Sequence, residues 1–151
     1  MTGYLTLIPA FFGSLGFLFL FNVKYKHLIW GAFNGAAAWL VFLLIKDIGG
    51  SLFVSSLAGT IVAAALAEIL ARTRKAPSTL FYIGGIVPMV PGSNLYYMVE
   101  AFMNSDMDKA AEQGLALIWT ILGIAVGAAA VLGIVWTIRK VKQDKVKKLV
   151  R

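Results

Sequence analysis

Five apolar runs, each long enough to cross a bilayer, take up most of this chain. They cover residues 4–23, 27–45, 51–71, 78–103 and 115–138. A helix crossing a ~30 Å hydrocarbon core takes roughly 20 residues. In lipid every backbone N–H and C=O must be paired within the protein, which leaves helices or a closed barrel. A barrel is written in alternating segments of about ten residues. Blocks such as Ala63-Ala64-Ala65-Leu66 do not alternate. The expected fold is all-α, an integral membrane protein with five transmembrane helices. It forms a single transmembrane domain over residues 1–151 and ends in a short basic tail, 139–151.

Charge supports this reading. Only 14% of the residues are charged, against about 25% in a soluble domain. The charges sit in islands between the runs, and no polar stretch is long enough to fold separately. The first run lacks a positive leader and a small-residue cleavage pattern, so it reads as a retained helix, not a signal peptide. Its basic residues, Lys24 and Lys26, come after it.

Orientation follows from the same islands. With five spans, one side receives Lys24, Lys26, Arg72, Arg74, Lys75 and the tail, which together hold twelve of the 14 Lys and Arg residues. The other side receives only Lys46 and Lys109. Positive residues stay cytoplasmic, so the N-terminus is expected outside and the C-terminus inside. The tail accounts for the pI of about 9.8 and reads as a topology anchor. No aromatic-basic interleaving accompanies it, so no nucleic-acid partner is expected.

Several chemistries are excluded. Cysteine is absent and His27 is the only histidine, so neither a thiolate nor a His-rich metal site can be built. There is no phosphate-binding glycine loop, no HExxH and no serine nucleophile elbow. The chain is expected to be neither an enzyme nor a cofactor carrier.

The fourth run carries the most informative local chemistry. Pro88, Pro91 and Gly92 lie near its middle. Each proline deletes a backbone donor and clashes with the turn before it, and the residue before a proline avoids the α region. Two prolines three apart, followed by glycine, predict a broken helix. Broken backbone at membrane depth survives only inside protein or along a wet cavity. Discontinuous helices of this type form substrate sites in transporters, where the second half-helix points its positive end at an anionic group. Ser93, Asn94 and Tyr96 would be the nearest polar groups. The competing reading is a kink that only shapes packing.

Three further polar residues fall in or beside the runs. Glu68 is either a coupling acid or an interfacial partner for Arg72 one turn later. Glu100 is either a pathway acid or a solvated helix end. Asn34 is either interhelical glue or a ligand contact. Gly31-x-x-x-Gly35 and Gly123-x-x-x-Gly127 have close-packing spacing, within the chain or between chains. Tyr4, Tyr25, Trp30 and Trp136 are placed to form interfacial belts.

A resemblance appears around the fourth run. Arg72-Thr73-Arg74-Lys75-Ala76-Pro77, then Gly84-Gly85-Ile86-Val87-Pro88-Met89-Val90-Pro91-Gly92, then Tyr96, resemble the threonine/serine exporter family. Gly16 to Val23, followed by Trp30 and Gly31, is similar to the start of the same module. The chain resembles the short half of that family's split, two-chain form. The resemblance implies a subunit of a secondary exporter in the cytoplasmic membrane of a prokaryote. It implies a small-molecule substrate, an amino or carboxylic acid such as threonine, serine or a dicarboxylate, moved by an ion gradient. It also implies a homo-oligomer, a larger partner subunit, or both. A membrane scaffold without its own substrate site is the alternative.

The orientation is testable because the native chain has no Cys. A cysteine placed in the basic tail is expected to resist impermeant labelling in intact cells, while one at Gly49 labels. Labelling of the tail from outside would reverse the assignment.

Overall fold

The computed structural model describes residues 2–149, with side chains up to Val141 apart from Thr2 and Arg139. The tail residues Val150 and Arg151, and the side chains of Arg139, Lys142, Lys145, Lys147 and Lys148, lie outside the described residues. The described residues are almost entirely helical, with no sheet. A short 3₁₀ turn, Thr2–Thr6, leads into α1 (Leu7–Leu20). Next come α2 (Tyr25–Asp47), α3 (Leu52–Arg74) and the short α4 (Ser78–Ile86). A 3₁₀ turn at Val87–Met89 separates α4 from α5 (Gly92–Met103), and α6 runs over Met107–Leu149.

Among the described residues, four helical stretches are long and apolar enough to cross a membrane: Gly3–Leu20, Tyr25–Asp47, Leu52–Arg74 and Met107–Ile138. The first three agree closely with the runs expected from sequence. The fourth expected run is not one long helix. It is two short segments, Ser78–Met89 and Gly92–Met103, because Pro88 and Pro91 each withdraw one backbone donor. The fifth begins eight residues earlier than expected, at Met107 rather than Leu115. Asp106 explains that start, since its Oδ1 accepts the Lys109 N–H at 3.2 Å and caps the first turn.

The interior is unlike that of a soluble protein. Its fully enclosed residues are mostly small or polar: Ala32, Ala38, Ala63, Ser14, Ser55 and Thr60. Large side chains such as Phe12, Phe33, Leu132 and Ile134 face outward. This inversion suits a chain whose solvent is hydrocarbon, where helices associate through close contact of small residues. Asn34 joins three helices at the centre. Its Nδ2 donates to Ala63 O at 2.9 Å and to Phe81 O at 3.0 Å. The buried asparagine is thus interhelical glue between α2, α3 and α4.

Both glycine pairs work within the chain. A Cβ on Gly84 would lie 2.8 Å from Gly31 O, so α2 and α4 touch backbone to backbone. A Cβ on Gly123 would lie 2.5 Å from Phe53 O, and one on Gly127 2.9 Å from Leu57 O. Both sequences of contacts ascend together, so α6 runs parallel to α3. Residues 107–118 of α6 therefore precede the level at which α3 begins, a reach of about 18 Å at 1.5 Å per residue. The packing partner of α5 is this leading part of α6.

The chain ends sort into two levels. At one, the α1–α2 and α3–α4 connections meet around Asn22, Lys24 and Lys75. At the other, Tyr4 donates to Asp47 at 2.7 Å and Trp39 Nε1 donates to Thr6 at 2.8 Å.

Gly84→Ala should push α4 off α2 and lower stability by about 1–3 kcal/mol, the usual range for overpacking. Gly16→Ala meets nothing within 4 Å inside α1, so it should leave stability unchanged or raise it by up to about 1 kcal/mol. Thermal denaturation midpoints in one detergent compare the two directly. Equal midpoints would contradict the close-packing account.

Candidate functional site

The interruption between α4 and α5 is built by its prolines. Pro88 has no N–H, so the Gly84 carbonyl loses the donor it would have one turn later. That carbonyl instead faces α2, where a Cβ on Gly35 would come within 2.6 Å of it. Pro91 likewise deprives the Val87 carbonyl, which accepts from Val90 N at 3.3 Å instead. Val90 is extended, at ψ 122°, and Pro91 follows at φ −78°, ψ 54°. Gly92 N then bonds Val90 O at 2.8 Å, and Leu95 N bonds Pro91 O at 3.2 Å to start α5. No side chain caps α5, and its first turn holds no acid. The Ser93 and Asn94 N–H groups thus lie where a helix has no acceptors of its own.

The two sides of the break differ. Met89 is enclosed against Ala38 and Ala63, with Trp39, Ile86 and Ile124 around them. Beyond it the chain surfaces. Pro88, Pro91 and Asn94 are half-buried, whereas Gly92, Ser93 and Tyr96 are exposed. Asn94 Nδ2 donates to Gln113 Oε1 at 3.0 Å, tying the start of α5 to α6.

Glu100, one helix face along, is exposed and lines a cleft between α5 and α6 of about 420 Å³. Tyr97, Asn104, Asp106, Lys109 and Gln113 share that wall. Lys109 Nζ pairs with Asp106 Oδ2 at 2.9 Å. The Lys109 hydrogen bond holds the Asp106 carboxyl below its ordinary range. A wall with carboxylate, carboxamide and ammonium groups is complementary in kind to a zwitterion.

The other sequence candidates lie elsewhere. Glu68 is buried on α3, with Oε2 4.0 Å from the exposed Arg72 guanidinium. Asn34 is enclosed at the α2–α3–α4 junction. Because α5 packs on α6 and not on α2 or α3, these two are not drawn together with Ser93, Asn94, Tyr96 and Glu100. Gln113 and Lys109 were not singled out from the sequence. They precede the apolar run, and only the early start of α6 brings them opposite α5. Among the described residues, no group of His, Cys, Asp and Glu could hold a metal ion.

The model of a family described as "Threonine/Serine exporter, ThrE" matches residues 6–134. No curated protein and no solved structure matches the chain. The matched range takes in all of α1 to α5, the interruption between α4 and α5, and the apolar part of α6 as far as Ile134. On that match, over most of its length, the chain belongs to the threonine/serine exporter family.

Proposed function

We propose that this protein is a subunit of a secondary exporter that moves small amino or carboxylic acids out of the cell along the broken α4–α5 segment. Membership of an exporter family makes it a transport protein, not an enzyme. The observation that carries the finer reading is the interruption at residues 87–91, which opens the uncapped start of α5 beside Ser93 and Asn94. Free N–H groups and the positive end of a half-helix attract a carboxylate. Glu100 stands two turns along the same helix and would meet an ammonium group or a coupling cation. Threonine, serine or a dicarboxylate fits this polarity, and an ion gradient supplies the drive. Five crossings, with α4 and α5 together forming the fourth, put the N-terminus outside and the basic tail inside.

The exposure of Gly92, Ser93 and Tyr96 supports an assembly. A pathway along these residues needs a second wall, from another copy or from a larger partner subunit as in a split exporter. A transport-competent monodisperse monomer would contradict that.

Export of labelled threonine, serine and a dicarboxylate, measured with and without the candidate partner, tests the reading. Changing Pro91 and Gly92 together to Ala should restore helix continuity and abolish export while the protein still inserts. Asn94→Ala should weaken apparent affinity about fivefold, the scale of one hydrogen bond of about 1 kcal/mol. Wild-type export by the double variant would make the break a packing feature and leave the chain a scaffold.

A further inference from the structure

At the end of the bundle opposite Asp47, the α1–α2 and α3–α4 connections border an open cleft of about 370 Å³. Lys24, Lys26, His27, Lys75 and Asn22 line it, and no carboxylate does. Two helices begin there. α2 starts at Tyr25 and α4 at Ser78; neither has a side-chain cap, and neither has an acid in its first turn. Each start leaves backbone N–H groups without helical acceptors and carries the positive end of a helix dipole. The natural complement of such a start is an anion.

His27 also lines this cleft. Its side chain is 6% exposed, yet its Nδ1 has no hydrogen-bond partner. The ring is held edge-on to Phe81, centroids 5.7 Å apart, so it is fixed on the cavity wall. Arg74 is not available to the cavity in the same way, because its guanidinium stacks 3.9 Å over Trp30.

The cavity adjoins a second cleft of about 680 Å³ that shares Asn22, Val23 and Lys24 with it. The rest of that cleft is apolar and outward-facing: Phe19, Leu20 and Tyr25. A basic chamber continuous with an apolar channel on the outer surface of a membrane bundle has the shape of an amphiphile. Free phosphate would use only the first half.

We propose that this pair of clefts is a binding site for an anionic phospholipid. The phosphate sits among Lys24, Lys26 and Lys75, and the acyl chains lie along Phe19 and Leu20. Basic pockets between helices at the cytoplasmic level hold such headgroups. The site is separate from the α4–α5 break and stands whether or not export follows the proposed route.

Native mass spectrometry of the full chain, released from mixed phosphatidylglycerol and phosphatidylcholine, reads the preference directly. Wild type should retain phosphatidylglycerol selectively. Lys24→Gln with Lys75→Gln, both at exposed positions, should lower that selectivity roughly tenfold or more, the scale of two lysines at a membrane surface. Lys46→Gln with Lys109→Gln removes the same charge from the other end and should leave that lipid selectivity as in wild type. Phe19→Ala with Leu20→Ala should weaken lipid retention without altering net charge. Equal loss in both lysine pairs would reduce the effect to net charge and overturn the site. Displacement of the lipid by millimolar inorganic phosphate, or indifference to the Phe19 and Leu20 changes, would make free phosphate the ligand and overturn the lipid assignment.

Discussion

The backbone contact between α2 and α4 is the constraint on which the rest of the bundle depends. α4 has nine residues and cannot cross a bilayer alone. It holds its place because Gly31 and Gly84 present no side chains to each other, and because Asn34 donates to the Phe81 carbonyl from across the gap. With α4 seated, Met89 falls inside the protein and Pro88 is half-buried beside it, where a backbone without its regular hydrogen bonds is tolerated. The unusual composition of the interior follows. A core of Ala, Gly, Ser and Thr gains little from burial of apolar area. It gains from helix axes brought close enough for dispersion and weak Cα–H···O contacts.

Hydropathy made three of the helices readable from sequence, because lipid imposes one requirement on every residue of a span. It did not separate α4 from α5, since Val87, Met89 and Val90 are as apolar as their neighbours. Only the proline chemistry marks that boundary. It also missed the first turns of α6. Asp108, Lys109, Glu112 and Gln113 read as a loop by polarity, yet Asp106 caps the helix and Ala110 and Ala111 favour it. The candidate site was legible in the same uneven way. The residues of the break were named from Pro88, Pro91 and Gly92. Which of them face outward depends on how α5 rolls against α6, and no local pattern encodes that. Lys24, Lys26 and Lys75 were legible only as topology signals. Their convergence with His27 needs the two connections to meet in space.

Polar groups in this fold divide by use. Ser56 and Thr120 return their hydroxyls to the carbonyls one turn back, Leu52 at 2.7 Å and Ala116 at 2.8 Å, and so cost the membrane little. Asn34 spends its donors between helices. The α5 start and the cleft of Lys24, Lys26 and Lys75 instead direct polar atoms toward open space, at opposite ends of the bundle. Such residues carry recognition where the enclosed ones carry cohesion.

The uninterrupted α6 has a mechanical consequence. It bears on α3 through Gly123 and Gly127, with Phe53 and Trp119 meeting edge-on beside them. From Gly123 back to Met107 the helix extends about 24 Å, and from Gly127 on to Ile138 about 17 Å. A rod whose closest backbone contacts lie near its middle is a lever. Any tilt about that fulcrum swings the end carrying α5 and the end leading to the basic tail in opposite directions, and a displacement at one face of the membrane reappears, with its sense reversed, at the other.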